Sequence, residues 1–255
     1  MGTTSISIIG NGNVAYQLGL AFKKAGIEIH DIWGRDIHKA NELAEVLECK
    51  YADTIQSLTG DLIVICVNDG AIKSVLSDID SSKFAVYTSG SLELSDCGRK
   101  LNTGVFYPLQ TFTKEQEVPF DNIPILLESQ TADFGTILEH LAKKISHRVI
   151  SVNSEQRKLY HLSAVWINNF TNHMIFQAKS LAEENNIDWE VLQPILDKTA
   201  SKLTKNDPFI SQTGPARRGD NSIITAHEKL LSGNRKELYS LISKSIEQRP
   251  FFCII

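Results

Sequence analysis

A group of polar side chains interrupts a long apolar helical pattern in the second half of the chain. His161, Asn168 and Asn172 recur at intervals of seven and four residues, so they share one helix face, and Asn169 lies beside them. Histidine exchanges protons near neutral pH, and neighbouring amides can orient its ring. The pattern predicts His161 as a proton donor, with Asn169 and Asn172 as orienting partners. The alternative is a purely structural histidine, which is the commoner role on a helix.

The segment between residues 212 and 220 carries two adjacent arginines, Arg217 and Arg218, in a Gly-Pro turn. Guanidinium groups suit two-pronged binding of a carboxylate or phosphate. Asp220 stands where it can cap the following helix, and it can also pair with one arginine and brace the loop. We therefore predict Arg217, Arg218 and Asp220 as substrate-binding residues. Gln110, in a polar stretch after a predicted strand, is predicted to join them as part of a cleft wall.

A glycine-containing turn near the start of the chain follows a short β-branched run and precedes a helical pattern. Gly10 permits the tight turn, Gly12 lets the backbone approach a pyrophosphate, and Ala15 allows close packing of helix on strand. The N–H groups at the helix start favour an anion. The turn therefore predicts a dinucleotide site formed by Gly10, Asn11, Gly12, Asn13, Val14 and Ala15.

The residue after the second predicted strand, Arg35, indicates which dinucleotide binds. An acidic residue there suits the ribose of NAD, whereas an arginine accommodates the 2′-phosphate of NADP. Arg35 followed by Asp36 favours NADP(H), with Asp36 as the cap of the next helix. The alternative is that Arg35 is a solvated surface residue.

Two further segments follow predicted strands at their carboxyl ends, where ligands bind in open α/β sheets. Val67, Asn68 and Asp69 come after an apolar strand, and Ser89 and Gly90 come after the next one. All five are predicted to contact the cofactor. The alternatives are that Asp69 caps a helix beginning near Ala71 and that Ser89 and Gly90 form an ordinary turn.

The elements that must position these residues change in type along the chain. The first half alternates strands with helices, which predicts a doubly wound, mostly parallel sheet over residues 1–152. The strands are predicted at 5–10, 28–34, 62–67, 84–89, 104–107, 123–128 and 147–152, and the helices between them at 14–25, 37–47, 72–76 and 134–143. Residues 153–255 are predicted to form an all-α domain, with helices at 155–184, 189–203, 222–231 and 235–246.

Composition excludes several classes of protein. The net charge of −4 provides no basic field for nucleic acid, and no apolar run approaches the roughly 20 residues that cross a bilayer. The four cysteines lack metal-ligand or C-x-x-C spacing, and no signal peptide is evident, so we expect a reduced, cytoplasmic protein without a metal. The apolar tail, Phe251–Ile255, is expected to pack on a neighbouring surface.

With these motifs, the chain resembles the bacterial Rossmann-like proteins that carry the DUF2520 domain and are labelled NADP oxidoreductases. The matching segments are Gly10–Ala15, Val67–Asp69, Thr88–Ser91, Tyr107–Phe112, Arg157, His161, Asn169–His173 and Gln212–Asp220. Wider relatives are pyrroline-5-carboxylate reductase, ketopantoate reductase and the 6-phosphogluconate dehydrogenase group. The resemblance implies a Rossmann-type sheet and a helical domain that forms a homodimer and closes over the nicotinamide. The lysine that many β-hydroxyacid dehydrogenases use is missing from Ala164–Asn169.

Together these features predict NADPH-dependent reduction of a C=O or C=N carbon in a small anionic metabolite, with His161 as proton donor. A non-catalytic NADP(H)-binding sensor or scaffold is the alternative, and it would bind the cofactor without turnover. An interaction protein that uses only its tail and long helix is a third possibility, and it would not be stabilised by NADP(H).

Overall fold

The computed structural model describes residues 5–98 and 102–248 of the chain. The chain divides into two compact units, one ending at Phe170 and the other beginning at Thr171. The domain boundary predicted after residue 152 lies between the last strand and the next helix, earlier than this division. The predicted packing of the tail, Phe251–Ile255, lies outside the described residues.

The first unit is built on an eight-stranded sheet. Its strands are β1 (Ile6–Ile9), β2 (Ile29–Trp33), β3 (Lys50–Tyr51), β4 (Leu62–Ile65), β5 (Phe84–Tyr87), β6 (Thr103–Pro108), β7 (Ile125–Ser129) and β8 (Val149–Ser151). Their order across the sheet is β3-β2-β1-β4-β5-β6-β7-β8, and every neighbouring pair is parallel except β6 with β7. The first six strands follow the doubly wound order 3-2-1-4-5-6. The predicted mostly parallel sheet is confirmed, and the short β3 is an addition to it.

Helices connect the strands and continue into the second unit. Those of the first unit are α1 (Asn13–Lys24), α2 (Ile37–Leu47), α3 (Asp69–Asp78), α4 (Ala132–Lys143) and α5 (Ser154–Ala164). The second unit contains α6 (Thr171–Glu184), α7 (Gln193–Leu203), α8 (Pro208–Ser211), α9 (Pro215–Arg218), α10 (Asn221–Lys229) and α11 (Gly233–Glu247). The predicted all-α C-terminal region is confirmed. Among the described residues, no helix has the length and apolar character needed to cross a membrane.

The central strand β4 shows why the sheet is covered on both faces. Leu62 and Val64 pack into a core with α1, α2 and α4, whereas Ile63 and Ile65 pack on the opposite face with α3. Alternate side chains of a strand point to opposite faces, so a continuous apolar run is buried only when both faces are covered. The sheet therefore has helices on both sides. In such sheets ligands bind at the carboxyl ends of the strands.

The predicted helix over 155–184 is not continuous α-helix. A π-helical turn, Val165–Phe170, separates α5 from α6. Such turns change the angular relation of the residues on either side, and they are frequent at functional sites. The α-helical spacing by which His161, Asn168 and Asn172 were predicted to share one face does not hold across this turn.

Candidate functional site

The turn between β1 and α1 has the backbone that its glycines predicted. Gly10 has φ of +121°, and a Cβ atom placed on it would lie 2.3 Å from the carbonyl oxygen of Cys66. Only glycine fits this conformation and this approach. Gly12 is the N-cap residue of α1, and a Cβ placed there would meet nothing within 4 Å. The space over the helix start is therefore open to a ligand.

The start of α1 is prepared for an anion. It has no acidic residue in its first turn, and no side chain caps its N–H groups. The Asn11 side chain donates to the Asp36 carbonyl at 2.9 Å, and the Asn13 side chain donates to the Phe112 carbonyl at 2.9 Å. These bonds brace the turn and leave its N–H groups available. The open space and the uncapped donors fit a pyrophosphate.

A cavity of about 470 Å³ continues from this turn towards the end of β2. The exposed Arg35 lines it, together with Gly34 and Asn68. Asp36 is engaged as the N-cap of α2, where its carboxylate accepts from the Lys39 N–H at 3.2 Å. This hydrogen bond lowers the pKa of Asp36 below its usual value. The predicted cap is confirmed. Arg35 and Asp36 both line the cavity, and Arg35 is the cation of the two, at the end of β2.

The segments after β4 and β5 are tied to each other. Asn68 is the N-cap residue of α3, so the alternative that Asp69 caps this helix is wrong. Asp69 lies in the first turn of α3 and accepts from the Ser91 hydroxyl at 2.5 Å. The buried Ser89 closes the loop by accepting from the N–H groups of Ser91 and Leu92. This fixed loop carries Gly90 after β5. The half-buried Val67 follows β4, which pairs with β5.

His161 on α5 lies directly against this loop. A Cβ atom on Gly90 would be 2.6 Å from Cγ of His161, so the helix approaches the loop as closely as glycine allows. Nδ1 of His161 is 2.9 Å from the hydroxyl of Tyr107, at the end of β6. Burial raises the pKa of Tyr107, the charge of Asp69 raises it further, and Arg157 opposes the shift. The phenol is therefore protonated at neutral pH.

A second cavity, of about 520 Å³, opens beside this pair. Tyr107, Gln110, His161 and Asn169 line it, and Asn168 of the π-helical turn adds a second amide. Hydroxyl, imidazole and amide groups can together bind and protonate a polar substrate atom. The structure thus brings together three of the predicted residues, Gln110, His161 and Asn169.

The remaining predicted residues belong to the second unit. Asp220 caps α10 by accepting from the Ile223 N–H at 3.3 Å, as predicted. Arg217 and Arg218 are exposed at the end of α9, and in the described part of the chain neither forms an ion pair. The predicted pairing of one of them with Asp220 is therefore wrong. Asn172 is exposed in the first turn of α6.

Two residues of the site were not predicted as functional. Tyr107 was predicted only as the last residue of a strand and the first of a matching segment, although a tyrosine at the carboxyl end of a strand can face a site. Arg157 is fully buried and pairs with Glu128 on β7 at 2.9 Å. Arg157 precedes His161 by four residues, and residues with this spacing are neighbours on a helix. This spacing could have indicated that Arg157 belongs to the site. Within the described residues, no cluster of three His, Cys, Asp or Glu side chains could hold a metal ion.

Two family profiles match the chain. The profile described as NADP oxidoreductase, coenzyme F420-dependent, matches residues 5–89, which include the glycine turn and Arg35. The profile of the domain of unknown function DUF2520 matches residues 123–246. No curated protein matches the chain.

Solved structures extend these similarities over nearly the whole chain. The protein BF3122 of Bacteroides fragilis, assigned as an NADP oxidoreductase, is 34% identical, with 96% of this chain and 98% of that chain covered and a TM-score of 0.86. Protein TM1727 of Thermotoga maritima is 25% identical, with coverages of 94% and 96% and a TM-score of 0.74. A reductive aminase of Aspergillus terreus, in complex with NADPH and ethyl-5-oxohexanoate, is 16% identical, with coverages of 96% and 94% and a TM-score of 0.70. At that identity the last likeness concerns the fold.

Proposed function

The chain belongs to the NADP oxidoreductase family that carries the DUF2520 domain, and from this premise we propose that it reduces a C=O or C=N bond of a small anionic metabolite. The observation that carries the proposal is the hydrogen-bonded pair of His161 and Tyr107, 2.9 Å apart, beside a cavity that Gln110 and the amides of the π-helical turn also line. NADPH, when bound, supplies the hydride for this reduction.

The residues that would hold the cofactor follow the order of the strands. The N–H groups at the start of α1 would hold the pyrophosphate, and Arg35 would bind the 2′-phosphate. Asn68 and the loop carrying Gly90 would contact the rest of the cofactor. From β1 across β4 and β5 to β6 there are three intervals of about 4.8 Å, or about 14 Å. The glycine turn and the pair at the end of β6 are thus separated along one row of strand ends, as the pyrophosphate and the nicotinamide of a dinucleotide require.

His161 and Tyr107 would manage the proton. In this proposal the protonated phenol of Tyr107 is the donor to Nδ1 of His161, which would leave the neutral ring with its proton on Nε2. As the substrate carbon takes the hydride, Nε2 would pass its proton to the substrate oxygen or nitrogen while the Tyr107 hydroxyl passes its own proton to Nδ1. The ring then stays neutral, and solvent reprotonates the Tyr107 phenolate after the step. Asn168 and Asn169 line the same cavity and would orient the substrate by hydrogen bonds.

The choice of an anionic substrate rests on Arg217 and Arg218. Both are exposed, and neither forms an ion pair in the described chain, so their guanidinium groups are available to a carboxylate or phosphate. Asp220 caps α10 and would fix the end of the loop that carries them. Gln110 of the first unit remains a proposed substrate-binding residue, and Asn172 of the second unit remains a proposed orienting residue.

A turnover assay with a matched pair of histidine variants tests the proposal. The purified protein is given NADPH and a panel of 2-oxo acids, keto esters and cyclic imino acids. In His161→Asn the amide keeps an acceptor for Tyr107 but lacks Nε2, and we expect turnover to fall at least about 100-fold. His140→Asn is the control, because His140 is also a helical histidine with a hydrogen bond at Nδ1. Turnover that survives His161→Asn, or NADPH binding without any turnover, contradicts the proposal.

We further propose that the second unit forms a homodimer. It exposes large apolar side chains on several helices, including Phe176, Ile195 and Leu241. Exposed apolar surface of this extent is typical of an interaction surface. Light scattering coupled to gel filtration should give twice the mass of the chain, and Ile195→Glu with Leu241→Glu should shift it towards the monomer. A wild-type protein that is monomeric at high concentration contradicts this proposal.

A further inference from the structure

The guanidinium of Arg157, on α5, binds two other segments of the first unit while none of its surface is exposed. Nε and Nη2 donate to Oε2 of Glu128 at 3.2 and 2.9 Å. Nη1 donates to the Ser89 carbonyl at 2.8 Å, and Nη2 donates to the Leu92 carbonyl at 2.7 Å. The two carbonyls lie at either end of the loop that carries Gly90. One cation therefore joins α5 and β7 to the loop after β5.

Further contacts hold this charged pair in place. The Ser154 hydroxyl donates to Glu128 at 2.7 Å and accepts from the Leu94 N–H at 3.1 Å. The Arg157 guanidinium also lies 5.9 Å from the ring centre of Tyr87 on β5. A charged pair is retained in an interior only when hydrogen bonds satisfy both partners, and here they do.

The position of this pair relates it to the proton donor. Arg157 and His161 are one helical turn apart on α5, so the group that anchors the helix lies next to the group that faces the cavity. Gly90, against which the His161 ring packs, lies between the two carbonyls that Arg157 holds. The same guanidinium thus fixes both sides of the contact between His161 and the loop.

We propose that Arg157 is a positioning residue, which holds His161 in hydrogen-bonding distance of Tyr107 and in contact with Gly90. This proposal rests on the proposed reductase function, in which His161 donates the proton. Misplacement of a catalytic group by about 1 Å costs on the order of 100-fold in rate. The planar fork of arginine is needed, because the single ammonium of lysine cannot span Ser89, Leu92 and Glu128 together.

The experiment compares two charge-neutralised variants of the same helix. Arg157→Met/Glu128→Gln removes both buried charges and therefore avoids an unpaired one. Lys158→Met/Glu93→Gln is the control, since this neighbouring ion pair also joins α5 to the segment after β5 but is partly exposed. In Arg157→Met/Glu128→Gln we expect kcat to fall about 100-fold. The Kd of NADPH should stay within about threefold of the wild-type value, and the circular dichroism spectrum should be unchanged. Arg157→Lys should recover part of the loss, and the control should change kcat less than twofold.

A spectroscopic measurement separates this proposal from the reductase function. The ¹⁵N NMR shifts of the His161 ring, assigned with His161→Asn, report whether Nδ1 accepts a hydrogen bond and whether Nε2 carries the proton. We expect this signature in the wild type and in the control, and its loss in Tyr107→Phe and in Arg157→Met/Glu128→Gln. If the wild type reduces no substrate but the signature is lost as expected, the reductase function fails and the positioning role stands. If the signature and kcat survive removal of both buried charges, the positioning role is overturned.

Discussion

The two ends of the candidate site are built from different parts of the chain. The end at the glycine turn uses backbone: the φ of Gly10, the open space over Gly12 and the N–H groups of α1. The end at β6 uses side chains, since His161 and Tyr107 come from segments 54 residues apart. The residues that form the first end are mainly adjacent in the chain, although distant segments brace them, whereas the second end brings together side chains from distant segments.

This difference decides how each end responds to substitution. A change in the glycine turn alters a backbone conformation, so it should affect folding and cofactor binding. A change around His161 alters the distance between side chains, so it should affect turnover first. Three substitutions test that division.

Gly10→Ala should have the largest effect and should act on stability. The added Cβ would lie 2.3 Å from the Cys66 carbonyl oxygen, at a φ of +121° that alanine rarely adopts. Strained backbone and overpacking each cost about 1–3 kcal/mol, so the free energy of unfolding should fall by about 3 kcal/mol or more. Urea unfolding measures this loss.

Gly12→Ala is the matched control for that substitution. Its Cβ would meet no atom within 4 Å, so the free energy of unfolding should change by less than about 1 kcal/mol. The same Cβ would enter the space proposed for the pyrophosphate, so the Kd of NADPH should rise more than about tenfold. Equal losses of stability in the two variants would contradict the division of roles within the turn.

Gly90→Ala should act on turnover. Its Cβ would lie 2.6 Å from Cγ of His161, so the ring must move away from Gly90 and from Tyr107. We expect kcat to fall about 100-fold, while the cooperative unfolding transition remains. Gly70→Ala is the control, because Gly70 lies on α3 with open space around it and should change kcat less than twofold. A Gly90→Ala protein with normal kcat would show that close contact with His161 is unnecessary.

The same division explains what the sequence could and could not predict. The strands and the glycine turn depend on local patterns, such as the apolar run at Leu62–Ile65, so most of the sheet and the helix caps at Asp36 and Asp220 were predictable. The π-helical turn was not, because α-helical spacing carries no signal for an i→i+5 turn. The partnership of Tyr107 with His161, and that of Arg157 with Glu128, depend on strand order, and no local pattern encodes which strand ends become neighbours.

Arg35→Ala should have the smallest effect. It compares a side chain with the backbone of the glycine turn within the same end of the site. Arg35 is an exposed side chain, so unlike Gly10 it should contribute to cofactor choice without contributing to folding. Hydrogen bonds to charged groups contribute about 1.5–3 kcal/mol, which corresponds to a rise of roughly 10- to 100-fold in the Kd of NADPH. The Kd of NADH should stay unchanged, because NADH lacks the 2′-phosphate. Fluorescence titration measures both constants, with the exposed Arg148→Ala as control. If Arg35→Ala kept its full preference for NADPH, the 2′-phosphate would have to be bound by another group at the end of β2.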